Sequence, residues 1–386
     1  MILIIVLYVL LAVLVFGVLI FIHELGHYIA ARVCKVRVIE FAVGMGPRLL
    51  KWKSKKTDII YSLRAFPLGG FCSMEGEGEN ANPTENRDGE EDELKKDEKD
   101  DSRSYANKPA WVRLIILLSG PAMNIILGFI LTFIMVVGYR SDGEISLGST
   151  VIAQFDAYAV SYATGLRIGD EVVKVGNVPV HTAQELSYEI MIQGKDAELY
   201  DHNIGFEIVQ RHVVSIDLTV IRNGEKIVLK DVKFLGEVTS GTLIGVTDFR
   251  IYREDASFLN IMKQSFFRAI SSVKMVWDSL VGIISGRFAL SSVSGPVGTT
   301  QVIVEAAQSG WYTFLNLVTV ISMNLGVFNL LPFLPLDGGH ILFCLYEIIF
   351  RKSAPKKFEE YCQIIGVMLM FALMIIVLIK DVVNLF

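Results

Sequence analysis

The chain has 386 residues, 52% of them hydrophobic, and a mean hydropathy of +0.48. These values exclude a wholly soluble domain and define a multi-pass membrane protein with room for one soluble module. The net charge of −5 is local, because Glu75 to Asp101 hold thirteen acidic and four basic residues, leaving the remainder near +4. That balance identifies no general partner, and no nucleic-acid partner is expected.

The first element, residues 1–37, carries no charge from Met1 to Ile22 and then reads His23-Glu24-Leu25-Gly26-His27. About 20 apolar residues suffice to cross a bilayer, so a span is expected at about 2–31. On a helix this motif sets two imidazoles one turn apart on one face, with a carboxylate between them. Ionisable groups at membrane depth are costly and mark function. The two imidazoles can bind one zinc ion, and Glu24 can take a proton from the attacking water. The bland alternatives are an interfacial histidine pair or a polar patch in a bundle. A cleavable signal peptide fits poorly, for want of a basic start and of a small-x-small site.

Residues 38–74 alternate apolar residues with Gly44, Gly46, Pro47, Pro67, Gly69 and Gly70, which reads as short strands in a membrane-associated β-region. Such a region is either a surface meander or an edge strand that pairs with an extended substrate. Residues 75–107 are expected to be an acidic, disordered cytoplasmic insertion, unable to bury enough apolar surface to fold. Residues 108–140 contain the second span, about 112–138, with Asn124 as its strongly polar interior residue.

Residues 143–250 form the expected soluble α+β domain. Gly165 to Asn177 join a turn to an alternating strand. Thr182 caps a helix to Ile192, and Asn223-Gly224 makes a tight hairpin turn. Residues 258–310 are read as an amphipathic linker, with 258–285 on the membrane surface or, alternatively, packed on the soluble domain.

Residues 311–386 supply spans at about 311–335 and 361–379. Between them lies Asn329-Leu330-Leu331-Pro332-Phe333-Leu334-Pro335-Leu336-Asp337-Gly338-Gly339-His340. The prolines break a helix, and broken helices at membrane depth occur where they line a cavity or pack in protein. Asp337 is therefore the expected third ligand, with His340 as its rival and a turn-forming Asp-Gly as the bland reading. Basic residues cluster after span one (Arg32 to Lys56) and between spans three and four (Arg351, Lys352, Lys356, Lys357). This places both loops in the cytoplasm and the soluble domain outside. The His pair and Asp337 then share a depth near the cytoplasmic side. Cys34, Cys72, Cys344 and Cys362 have neither the placement for structural disulfides nor paired spacing for a metal.

With these residues in view, the chain resembles the site-2 protease family of intramembrane zinc metalloproteases, and most the bacterial regulator-of-sigma-E branch. The likeness rests on His23-Glu24-Leu25-Gly26-His27, on Asn329-Leu330-Leu331-Pro332 and on Leu336-Asp337-Gly338-Gly339. It also rests on Gly120-Pro121-Ala122-Met123-Asn124, on Ser294-Gly295-Pro296-Val297-Gly298, and on the PDZ-like Gly165-Leu166-Arg167-Ile168-Gly169-Asp170. Pro335 stands six residues after Asn329, where many relatives have five. Tyr158 to Tyr162 replace the usual Ser-Pro-Ala of a PDZ core. The acidic insertion is unusually long.

The resemblance implies a multi-pass α-helical membrane protein of about four transmembrane helices, with the β-region and one extracytoplasmic PDZ domain acting as a size filter. It implies zinc on His23, His27 and Asp337, Glu24 as catalytic base, and Asn329 on the substrate backbone. The implied activity is hydrolysis of peptide bonds in or near transmembrane segments of single-pass proteins such as anti-sigma factors or remnant signal peptides. The implied location is a bacterial inner membrane. The rival readings are an inactive PDZ scaffold, which predicts loss of a ligand or base, and a transporter, which predicts inverted repeats.

Overall fold

The computed structural model describes residues 2–77, 101–138, 140–141, 144–145, 148–204, 207–239, 242–286 and 295–383. The acidic stretch 78–100 and Ser294 lie outside the described residues. The chain begins with helix α1 (Ile2–Val33), strands β1 (Val38–Lys53) and β2 (Ile60–Met74), and helix α2 (Ala110–Gly138). Short strands β3 (Arg140–Ser141), β4 (Glu144–Ile145) and β5 (Ile152–Phe155) follow, then α3 (Val160–Ala163), β6 (Glu171–Val175), β7 (Val178–Pro179) and α4 (Ala183–Gln193). Next come β8 (Lys195–Ile204), β9 (Glu207–Arg222), β10 (Glu225–Thr239), β11 (Thr242–Val246), β12 (Phe249–Ile251) and β13 (Glu254–Asp255). The chain closes with α5 (Phe258–Ile284), α6 (Pro296–Gln308), α7 (Trp311–Asn329), α8 (Asp337–Phe350) and α9 (Lys356–Val383). It divides into two compact units, residues 1–128 with 294–386, and residues 129–293.

Four helical segments among the described residues are long and apolar enough to cross a membrane: Val9–Val33, Ala110–Gly138, Trp311–Asn329 and Lys357–Asp381. The third ends six residues before the expected position. Pro332 and Pro335 cannot continue a helix, so the chain breaks and restarts as α8 at Asp337. That restart depends on Gly338, where a Cβ would lie 2.1 Å from the Leu331 carbonyl oxygen. The helix α6 was not foreseen in the linker. Its first turn, Gly295 to Gly298, docks on Asp381 of α9, whose carboxylate accepts from the amides of Gly295 (3.2 Å) and Gly298 (2.9 Å). A carboxylate there satisfies N–H groups left free at a helix start.

In the same unit β1 and β2 form an antiparallel sheet. Its base is buried, with Val38, Phe41, Ile59, Cys72 and Met74 packed against Ala31 of α1 and Ile116 of α2. Its far end exposes Met45 and Phe66, and Leu49, Leu50 and Trp52 are exposed along β1. Both ends of the acidic segment are tied down rather than loose. Arg37 donates its amide to the Arg103 carbonyl (3.0 Å), and Tyr105 to that of Glu75 (2.7 Å).

Glu40 organises the sheet. It accepts from Ser62 Oγ (2.6 Å), Arg48 Nη2 (2.9 Å) and Arg64 Nη2 (2.9 Å). Burial alone would raise its pKa, but those donors outweigh burial and hold the carboxyl below its ordinary value near 4.5. The stabilisation is therefore present above that value and is lost as pH falls through the depressed one. Breaking a fully buried ion pair costs ~3–5 kcal/mol. Arg48 and Arg64 keep 27% and 18% of their side chains exposed, so we expect about 2 kcal/mol for Glu40→Ala. Hydrogen exchange of the hairpin amides should then quicken ~30-fold. Unchanged protection would show that the network does not hold the sheet.

The second unit is an α+β module. Its main sheet runs β11-β10-β9-β6-β7, with β8 also paired to β9. Ile152, Leu166, Val172, Leu186, Ile190, Leu218, Val220 and Phe234 form its core. The expected local signals are present: Thr182 and Glu185 make a reciprocal capping box at α4, and β9 turns into β10 at Asn223–Gly224, both with positive φ. Asp170 is fully buried and accepts from Arg222 Nε (2.7 Å) and Nη2 (2.8 Å), tying the Gly165–Asp170 turn to β9. Helix α5 packs on this unit, the alternative placement of the two expected. Its polar face meets α4 through Ser271 to Glu185 and Lys274 to Glu189, and Phe267 stacks on His181 with ring centroids 4.0 Å apart. Its other face exposes Leu259, Phe266, Ile270, Trp277, Val281 and Ile284.

Candidate metal centre

His23 and His27 lie on the last third of α1, where an i, i+4 spacing points both rings the same way. Both are buried, at 8% and 7% exposure. Asp337 is the first residue of α8, presented by the helix break. Its Oδ2 lies 3.2 Å from His23 Nε2 and 3.3 Å from His27 Nε2, and the two Nε2 atoms are 3.3 Å apart. The three residues are the group among the described residues able to hold a metal ion.

The distances discriminate between readings. Four ligands set tetrahedrally at ~2.0–2.1 Å from zinc lie about 3.3–3.4 Å from one another. The observed triangle matches that edge. Asp337 Oδ2 is buried and has no hydrogen-bond partner. Three converging lone pairs without a proton between them suit a cation, so the donor set fits zinc.

Helix α2 supplies the wall opposite. A Cβ on Gly120 would lie 2.3 Å from His27 Nε2 and 2.9 Å from His23 Cε1, so glycine alone fits there. His27 Nδ1 donates to the Ile116 carbonyl at 2.8 Å, and His23 Nδ1 lies 3.2 Å from the Asn124 carboxamide. Glu24 is half-buried and interacts electrostatically with His27, His23 and Asp337. It also accepts a hydrogen bond from the backbone N–H of Cys72, and Gly70 packs beside its Cγ. The β2 strand thus runs directly along the carboxylate. Burial at this contact pushes the Cys72 thiol well above its usual range, with Glu24 and Glu77 adding to the effect, so Cys72 stays a neutral thiol.

The remaining expected residues sit apart from the triangle. His340 Nδ1 is turned toward Glu359 Oε1 of α9, at 3.5 Å. Asn329 ends α7 and donates to the Leu325 carbonyl of its own helix at 3.0 Å. Sequence reasoning gave no role to Asn124, Ile116 or Cys72. The first carried a signal: Gly120 and Asn124 repeat the four-residue spacing of His23 and His27. The other two act through backbone atoms, which no residue type announces.

Two imidazoles on a helix apolar enough to cross a bilayer, met by a carboxylate from the first residue of α8, define a membrane-embedded metal hydrolase. Residues 11–373 match peptidase family M50. A protein of Clostridium acetobutylicum assigned by name to the zinc metalloproteases is 33% identical over 375 residues, covering 96% of each chain. A similarly assigned protein of Clostridium perfringens is 31% identical, covering 97% of this chain and 98% of that one. The zinc metalloprotease RasP of Shouchella clausii is 28% identical, covering 96% and 98%. The chain belongs to peptidase family M50, the site-2 protease family, and is a zinc-dependent metalloprotease.

Proposed function

We propose that the chain is an intramembrane endopeptidase that cleaves single-pass membrane proteins in or near their transmembrane segments, with His23, His27 and Asp337 as zinc ligands and Glu24 as general base. The observation that carries this is the triangle of ligand atoms set on apolar helices, with Glu24 beside it. Zinc held there would polarise the scissile carbonyl and make a water molecule more acidic. Glu24 takes the proton from that water and hands it to the departing amine. The Cys72 amide holds the carboxylate beside the site while it waits.

A transmembrane helix keeps its carbonyls in internal hydrogen bonds, so it must unwind before it can be cut. The β-sheet of residues 38–74 lies where an unwound segment could add as a further strand, which would satisfy the freed groups. To Asn329, at the end of α7 and before the break, we assign the substrate backbone as partner. The α+β unit is a single PDZ-type domain, supported by its Gly165–Asp170 turn and the capped α4. We place it outside the cytoplasm on the basic residues of the loops, as a filter against substrates that keep bulky external domains. The apolar stripe of α5 suits a helix lying on the membrane surface. The cell is bacterial, as are the organisms of the relatives, and the substrate class includes anti-sigma factors and remnant signal peptides.

The test is reconstitution of the full chain in liposomes with a single-pass substrate whose external domain has been removed. Cleavage is expected within or next to the apolar segment, to stop on addition of a zinc chelator, and to return with added zinc. Cuts confined to water-exposed loops far from the segment would overturn the intramembrane assignment.

A further inference from the structure

Asn124 lies in the interior of helix α2, where the residues from Leu114 to Gly138 are otherwise apolar apart from Ser119 and Thr132, and it is 0% exposed. Burying a carboxamide at membrane depth is costly unless its groups are used. Nothing derived so far uses it. Its position is held from the other side, because Ser322 Oγ of α7 donates to the Asn124 backbone carbonyl at 2.8 Å. The carboxamide itself lies 3.2 Å from His23 Nδ1, and its Oδ1 has no partner.

The protonation of the two rings decides what Asn124 does. Both Nε2 atoms point into the triangle with Asp337, so each must offer a lone pair, and each ring must carry its proton on Nδ1. For His27 the acceptor is the Ile116 carbonyl at 2.8 Å. That carbonyl also accepts from Ser119 Oγ of the same helix at 2.5 Å. His23 needs an acceptor too. If the Asn124 Nδ2 donated to it, His23 would hold its proton on Nε2 and have no lone pair for a metal. A half-turn of the carboxamide puts Oδ1 in that place without change of shape.

The geometry points to Asn124 as the residue that positions His23 for zinc, by accepting its Nδ1–H through Oδ1. Gly120-Pro121-Ala122-Met123-Asn124 then acts as one device. Gly120 makes room for the rings, the Ile116 carbonyl one turn before it orients His27, and Asn124 one turn after it orients His23. A neutral amide suits this position better than a carboxylate. Asp337 already brings one negative charge, and a second would have to be desolvated in the same apolar bundle. This inference rests on the reading of His23 as a zinc ligand.

The experiment uses the full chain in detergent, stripped of metal and titrated with zinc against a chromophoric chelator. A parallel titration follows the visible spectrum of the cobalt-substituted protein. Partners that orient ligating histidines are worth ~10–100-fold in metal affinity. Asn124→Leu and the smaller Asn124→Ala are expected to weaken zinc binding by about that factor and to shift the cobalt bands. Asn124→Asp keeps an acceptor of the same shape and is expected to stay within about threefold of the parent. If Leu, Ala and Asp all weaken binding alike, or if none does, Asn124 is a packing residue and the inference falls. The His23→Ala arm separates this failure from a deeper one. Loss of zinc there with no effect at Asn124 overturns only the positioning role, whereas zinc retained by His23→Ala overturns the ligand assignment itself.

Discussion

Glu24→Gln should abolish proteolysis while the protein still binds zinc. A positioned general base contributes ~10²–10⁴-fold to such reactions. The glutamine amide has the same shape, but it cannot take a proton from water at any working pH. It can still meet the Cys72 amide through its oxygen, so the β2 strand should keep its place along the site. Glu24 is not one of the three converging ligand atoms, so removal of its charge should leave the metal in place. The check is paired: zinc content by elemental analysis and cleavage of a single-pass substrate in liposomes. A variant that retains more than about a tenth of the parent rate would sink the assignment of Glu24 as base. The same inactive variant, compared with the parent in cells, would accumulate uncut membrane fragments and so reveal the substrates.

Asp337→Asn should lose zinc and activity together, while His340→Ala should retain both. The two residues are three positions apart on α8, and ligand chemistry alone leaves either available. The fold separates them: Asp337 Oδ2 closes the triangle with both Nε2 atoms, whereas His340 turns to Glu359 on α9. Asparagine keeps the shape of Asp337 but offers a neutral oxygen, in a site where two neutral imidazoles supply no charge to balance a dication. The loss of zinc affinity should exceed the ~10–100-fold that outer partners are worth. His340→Ala should lower stability slightly through the lost contact with Glu359, with zinc binding near the parent value. Zinc titrations of both variants decide the matter, and the reverse pattern would exchange the two roles.

Much of this was legible along the chain because the signals are local. An uncharged run of sufficient length is a span wherever it occurs, and His23-Glu24-Leu25-Gly26-His27 declares its metal chemistry within five residues. Pro332 and Pro335 announced a break, and Asp337 after it was the expected third ligand. Thr182 with Glu185, and Asn223-Gly224, specified a cap and a turn through interactions over three or four residues. The same locality explains the misses. Helix α8 was hidden because Gly338 and Gly339 read as loosening residues, whereas they are small to clear the carbonyl of Leu331 and the side chain of Leu334. The inverted face of α5 was ambiguous, since its periodicity states that one side is apolar but not which side the rest of the unit covers.

The amino-acid sequence by itself determined that this is a membrane protein with two imidazoles, a carboxylate and a base suited to zinc hydrolysis. Only the tertiary structure decided that Asp337 rather than His340 faces the imidazoles, and that residues more than 300 positions apart meet at 3.2–3.3 Å. It also decided that the Ile116 carbonyl, the Cys72 amide and Asn124 surround them. The physical reason is that covalent spacing controls what lies within one or two turns of a helix. The direction of a backbone carbonyl, or the partner of a buried amide, is set by which elements pack together, and that depends on the whole chain at once.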